Sequence, residues 1–330
     1  MGLDSIIYFD ETNKENTMID SIYLYSRGDR LGSHILHFLS IMIYAYYNNL
    51  YIVYEPEKVN YNNDYEYEGT IYKQSLFIKA ILNWIDNHNK KFPQKNYLDQ
   101  YKSLNPMEYL LNFETKFDPN SFFYTCDLLI ITTQVLYNIR TDLIHYFTKY
   151  IRKNMRECIQ NNIPKHYVLP YNPNKTILVH LRLGDVKDRD DYDGSLCSNY
   201  YKNRIDNNNE NIQGIAILGY CNMQTPLHRN KVDWAIAEAK RKYPEHEIII
   251  VTAPGNYDIN YPYRCIRSDD ENYDLFLLCN ADVLILSRST FSLSAAFLGI
   301  AREIWCPLWG HFVCTGLYTK YDNSKFNYFF

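Results

Sequence analysis

Two short segments carry the residue types that can hold a diphosphate. The first is His180-Leu181-Arg182-Leu183-Gly184-Asp185, which leaves the apolar run starting at Thr176. A guanidinium fixed at such a place grips phosphate in a bidentate fork. The same residues also suit a structural reading in which Arg182 pairs with Asp185 across a tight turn and His180 packs inward. The second segment is Ser287-Arg288-Ser289-Thr290-Phe291-Ser292, between an apolar run and a helical pattern. Hydroxyls and backbone N–H groups at a helix N-terminus bind anions, although serine and threonine there also act as ordinary caps.

Two further segments are weaker. The loop Arg27-Gly28-Asp29-Arg30-Leu31-Gly32-Ser33 lacks the Lys-Ser/Thr ending of an ATP-binding loop and the spacing of a dinucleotide fingerprint, which argues against kinase and dehydrogenase chemistry. The run from Asp188 to Gly194 contains the acid-x-acid pair Asp188 and Asp190, a pattern used for metals. As a calcium loop it fails, because Arg189 takes the first ligand position and Tyr200 stands where the closing glutamate belongs. A solvated acidic loop is the expected reading, and no metal site is assigned.

The elements that must position these residues alternate between strand and helix. Ser21 to Tyr25 reads as a strand, His34 to Asn48 as a helix and Leu50 to Tyr54 as a second strand, the unit of a parallel sheet with crossover helices. Asn60 to Tyr67 reads as a polar insertion, with helices at Ser75 to Asn87 and Gln134 to Asn161. Asn162 to Lys175 holds Pro164, Pro170 and Pro173 with little periodicity, as a linker does. Beyond it come strands at Thr176 to Leu181, Glu247 to Thr252, Ala281 to Leu286 and Glu303 to Cys306. Helices are expected at Lys231 to Tyr243, Glu271 to Cys279 and Phe291 to Gly299. The expectation is an α/β protein of two Rossmann-like units, residues 1–165 and 166–330. Ligands in such sheets lie beyond the carboxyl ends of the strands, where both diphosphate segments fall.

Composition narrows the partners. A net charge of −4 over 330 residues gives no basic footprint for nucleic acid, and 46% hydrophobic residues are enough for a large core. No stretch reaches the roughly 18 uncharged apolar residues that a membrane helix needs, and the first residues carry no secretory pattern. The 8 cysteines are scattered without a Cys-x-x-Cys pair. The expectation is therefore a cytoplasmic protein with reduced thiols, acting on small molecules or glycans.

Taken together, these motifs resemble the superfamily of alpha-1,2-fucosyltransferases and protein O-fucosyltransferases. His180-Leu181-Arg182 is similar to its His-x-Arg signature. Tyr273-Asp274-Leu275-Phe276 followed by Ser287-Arg288-Ser289-Thr290-Phe291-Ser292 is similar to its Asp-Leu segment and Ser-Thr-Phe-Ser motif. Gly28 to Leu39 is similar to its glycine loop. The resemblance covers Thr176 to Trp309 and the loop near residues 26–54. Two positions depart from it: Leu183 stands where sugar-acceptor members carry a second arginine, and Ser33 replaces an asparagine.

The resemblance implies a GT-B architecture with a cleft between two Rossmann-like domains, the glycine loop (26–33) and the acceptor on the first and the donor on the second. It implies inverting fucosyl transfer from GDP-fucose to a glycan or glycoprotein hydroxyl, with neither metal nor cofactor. Arg182 is then expected on the β-phosphate. His180, Ser289, Thr290 and Phe291 line the donor from the second domain, and Arg30, Gly32 and Ser33 close on it from the first. Asp270 and Asp274 are candidates for the base or ribose, and Asp185 for the general base ahead of Asp188 or Asp190. Two alternatives stay open: a metal-dependent glycosyltransferase using Asp188 and Asp190, and a non-catalytic glycan- or nucleotide-binding protein.

Overall fold

A computed structural model of the chain describes residues 21–24, 30–47, 51–67, 69–88, 152–183, 226–255, 259, 261–307 and 325–329. The first half begins as expected, with β1 (Ser21–Tyr23), α1 (Leu31–Tyr47) and β2 (Tyr51–Val53), the two strands pairing in parallel. A hairpin follows, β3 (Tyr65–Tyr67) and β4 (Thr70–Tyr72), then α2 (Leu76–His88) and α3 (Arg152–Asn162). The hairpin corrects the reading of Asn60 to Tyr67 as a polar insertion. Tyr61 is buried with φ 64°, and its ring meets those of His34, Tyr65 and Tyr72 at 5.0 to 5.8 Å. Tyrosine conceals such a cluster from a hydropathy pattern, because an amphipathic ring serves either surface or core.

The second half is a six-stranded, wholly parallel sheet in the order β10-β9-β8-β5-β6-β7. Its elements are β5 (Thr176–Leu181), α4 (Arg229–Lys242), β6 (Glu247–Thr252), β7 (Arg264–Arg267), α5 (Glu271–Cys279), β8 (Val283–Ile285), α6 (Thr290–Leu298), β9 (Glu303–Pro307) and β10 (Phe326–Phe329). All six residues of β5 are buried, as a parallel strand covered on both faces must be. Ile177, Val179 and Leu181 point to the face covered by α4, with Val232, Ala235, Ile236 and Ala239. Leu178 points the other way, into the core that α5 and α6 supply, and the period of two sends His180 there as well.

That second core does not stop at the sheet. Residues of α1, α2 and α3, among them Phe38, Trp84 and Met155, belong to the same buried cluster as Leu275, Leu284 and Leu293. The proline-rich stretch between the halves lies against α5. The buried Tyr171 hydroxyl donates to the Leu277 carbonyl at 2.6 Å, and the Tyr273 hydroxyl donates to the Val168 carbonyl at 2.9 Å. No helix among the described residues is long and apolar enough to cross a membrane.

At Gly32 the halves meet backbone on backbone. A Cβ placed on Gly32 would lie 2.4 Å from the Cα and N of Phe291 and 2.7 Å from the carbonyl carbon of Thr290. Glycine is therefore needed in the first turn of α1 despite its poor helix propensity. Gly32→Ala must push α1 and α6 apart and is expected to cost about 1–3 kcal/mol of unfolding free energy. Urea unfolding measures this, and an alanine accepted without loss would show slack between the two helices.

Candidate functional site

The path of the chain through the sheet fixes where a crevice opens. From β5 it proceeds outward to β6 and β7, then returns to the other side of β5 and proceeds to β8, β9 and β10. The crossovers beside β5 and β8 leave on opposite faces, α4 on one and α6 on the other. The carboxyl ends of β5 and β8 thus form the topological switch point, the usual ligand crevice of an open α/β sheet. Their parallel register runs Ile177↔Val283, Leu178↔Leu284 and Val179↔Ile285.

Both diphosphate segments end there. Arg182 follows β5, half-buried, and its Nη1 donates to the Arg288 carbonyl at 3.4 Å. Ser287, Arg288 and Ser289 follow β8 and are buried. The Ser289 amide donates to the Ser287 carbonyl at 2.8 Å, closing the turn into α6. Ser289 is the N-cap of α6, its Oγ accepting from the Phe291 amide at 3.2 Å, so the ordinary capping role is filled. The hydroxyl keeps its own proton to donate. Thr290 and Phe291 are half-buried at the start of the helix.

The first half contributes the opposite wall. Ser33 Oγ lies 3.1 Å from Thr290 Oγ1, one residue along from the Gly32 contact. Two helix N-termini, those of α1 and α6, thus meet beside Arg182. First-turn N–H groups lack intrahelical acceptors and carry the positive end of the helix dipole. This grouping concentrates positive potential and suits a phosphate.

His180 sits behind this surface. Its Nδ1 is 2.6 Å from Ser287 Oγ, and its ring centroid is 5.6 Å from that of Phe291. Burial, reinforced by the Arg182 charge, lowers its pKa to about 3, so the imidazole is neutral.

A second, acidic group lies at the N-terminus of α5. Asp270 caps that helix, its Oδ1 accepting from the amides of Asn272 and Tyr273 and its Oδ2 from the Tyr167 hydroxyl at 2.5 Å. Asp274 is 7% exposed, and its buried Oδ1 has no hydrogen-bond partner among the described residues. Desolvation, with Asp270, Glu271 and Asp269 nearby, raises its pKa to about 8. Glu271 is raised too, by burial, with Arg30 opposing the shift. Residues 30–33 therefore reach from Glu271 at the acidic group to Thr290 at the phosphate-like group.

Of the residues singled out in the sequence, His180, Arg182, Ser289, Thr290, Phe291, Gly32 and Ser33 come together, while Asp270, Asp274 and Arg30 gather at the α5 end. Asp185, Asp188 and Asp190 lie outside the described residues. No group of three or more His, Cys, Asp or Glu side chains suited to a metal occurs among the described residues. Sequence reasoning gave no separate role to Ser287, Tyr167 or Glu271. The pairing of Ser287 with His180 spans 107 positions and leaves no local signal.

No family model matches the chain, and no curated protein sequence matches it. Among solved structures, it is similar to two of POFUT1, a protein O-fucosyltransferase, in complex with GDP. One shares 12% identity over 95% of this chain and 99% of that chain, with a TM-score of 0.37. The other shares 13% over 87% and 97%, also with a TM-score of 0.37. At that score the likeness assigns neither a ligand nor a reaction to this chain.

The acidic group yields a pH prediction. The folded-state pKa of Asp274 lies above its ordinary 3.8, so the fold favours the neutral form. The stability this contributes is full below about pH 3.8, declines as the pH rises, and is lost above about pH 8. Asp274→Asn stays neutral throughout. Its stability relative to the wild type is expected to improve across that interval and then level off, as measured by urea unfolding at acidic, neutral and alkaline pH. A difference independent of pH would mean that folding leaves the Asp274 pKa unshifted.

Proposed function

We propose that this chain is a glycosyltransferase that takes fucose from GDP-fucose and transfers it, with inversion and without a metal, to a hydroxyl of a glycan or glycoprotein. The observation that carries the reading is the convergence of Arg182, the N-terminus of α6 and the first turn of α1 on the switch point of the sheet. The motif resemblance of Thr176 to Trp309 supports the choice of donor. In the reaction the acceptor oxygen bonds to the anomeric carbon as the bond from that carbon to the diphosphate oxygen breaks. The nucleoside diphosphate leaves with the electron pair, and a general base, for which Asp185 is the candidate, takes the acceptor proton.

Negative charge grows on the leaving diphosphate, so preorganised donors around it are the protein's largest lever on the rate. Arg182 supplies charge in a fork, and Ser289, Thr290 and the first-turn amides supply dipoles. Asp274 is the candidate for the base end: its two carboxylate oxygens could accept from the N1–H and exocyclic amine of guanine, a pair that uracil lacks. Placing those donors against a carboxyl that is protonated near neutrality favours its ionised form, so GDP affinity should rise with pH up to about 8.

Calorimetric titration with GDP, UDP and their sugar conjugates tests the reading. GDP and GDP-fucose are expected to bind, and UDP to bind more weakly by several kcal/mol, on the order set by leaving buried polar groups unpaired. Preference for a uridine donor would discard the fucose, and binding of no nucleotide would discard the donor site. Arg182→Ala is expected to lose about 2–4 kcal/mol of transition-state stabilisation with the fold intact. An unchanged turnover in that variant, measured by release of the nucleoside diphosphate, would remove Arg182 from the mechanism.

A further inference from the structure

The backbone pairing of β5 with β8 ends at Val179↔Ile285, so beyond that point the two strands are no longer tied by their ladder. The crevice opens there, yet the groups on its two lips must keep a fixed spacing to grip one ligand. Among the described residues, side-chain links that cross the opening include Arg182 to the Arg288 carbonyl at 3.4 Å and His180 Nδ1 to Ser287 Oγ at 2.6 Å. The second is shorter and wholly buried, with His180 8% and Ser287 3% exposed.

Ser287 also stands at the root of the turn into α6. Its carbonyl accepts from the Ser289 amide at 2.8 Å and from Ser292 Oγ at 3.4 Å, and its hydroxyl lies 3.4 Å from Ser292 Oγ. Moving Ser287 therefore moves the cap and the first turn of the helix. His180 is poorly placed to touch a substrate, since Phe291 covers its ring and Nδ1 is engaged with Ser287.

We propose that His180 is a positioning residue: its hydrogen bond to Ser287 ties β5 to β8 beyond their ladder and fixes the α6 N-terminus relative to Arg182. The neutral imidazole suits this, because a charged one would be repelled by Arg182 and would lack water to solvate it. The effect on ligand affinity rests on the donor-site reading. The tie itself does not.

The test has two arms, using His180→Leu, Ser287→Ala, the double variant and His180→Asn, whose amide stands where Nδ1 stood. Without nucleotide, hydrogen exchange of the Ser289 amide is expected to speed up about tenfold in each single variant and no further in the double variant. His180→Asn should recover most of that loss. With GDP, affinity is expected to fall about tenfold in both single variants, with the same non-additivity and recovery, and with no change in the shape of its pH profile.

Exchange losses that add in the double variant, or an unchanged rate in Ser287→Ala, would overturn the tie. Exchange losses as expected, with GDP affinity left intact in the variants, would overturn the positioning role. If the wild type binds no GDP while the exchange arm holds, the tie stands and the donor-site reading fails. Should His180→Leu fail to fold, Ser287→Ala and His180→Asn alone decide, because the tie requires the former to speed exchange and the latter to stay near the wild type.

Discussion

Gly32 lays the first turn of α1 on the backbone of Thr290 and Phe291 with no room for a single methyl group, and the organisation of the crevice follows from that approach. Were the helices a side chain further apart, Ser33 would not reach Thr290 and the switch point would be an open edge of one sheet. Because they touch, the first turn of α1 becomes a wall for groups carried by the second half. The contact also joins the cores: α1 packs on α6, and the buried cluster runs from Phe38 and Trp84 to Leu284 and Leu293 without interruption. The cost of the approach is electrostatic. Two helix N-termini repel one another as like partial charges do, and a bound anion relieves that repulsion.

Much of this was legible in the sequence, and the exceptions have physical causes. The bounds of β5 and β6 could be read directly, because strands buried on both faces give continuous apolar runs, and those of α5 followed from the alternation of helix with strand. Edge strands β7 and β10 could not, since Arg264-Cys265-Ile266-Arg267 has no buried residue and Phe326-Asn327-Tyr328-Phe329 is a run of only four residues. The start of α1 at Leu31 was hidden by Gly32, which reads as loop but is helical because of its neighbour. For the site, the rule that ligands sit at strand carboxyl ends was enough to bring Arg182 and Ser289 together. It gave no warning that Asp270 would be engaged as a cap, or that Ser287 would face His180.

Acids near a helix N-terminus are by themselves unremarkable, since they complement the dipole, and Asp270 is of that ordinary kind. Asp274 differs. It lies one turn further in, buried, with an oxygen that no described residue serves and with three other carboxylates around it. A fold that gained nothing from this carboxyl would be more stable with an apolar or amide side chain in its place. Perturbed acids of this type cluster where a protein meets a ligand, and the α5 N-terminus lies at the same carboxyl edge of the sheet as the switch point.

The two edges of the sheet dispose of charge in opposite ways. At the amino edge the carboxylates meet close partners: Asp282 lies 2.7 Å from both His246 Nε2 and Arg302 Nη2, and Glu303 receives the Tyr243 hydroxyl at 2.6 Å and Lys242 at 2.5 Å. These bonds join the starts of β6, β8 and β9, with His246 Nδ1 and Glu303 Oε1 left without a hydrogen-bond partner among the described residues. At the carboxyl edge Arg182 and Arg288 lie with two helix N-termini at one end, and Asp269, Asp270, Glu271 and Asp274 at the other, with Arg30 beside Glu271. That arrangement is complementary to a molecule with an anionic end and a hydrogen-bond-donating end, and the proposed nucleoside diphosphate bearing a purine amide is such a molecule.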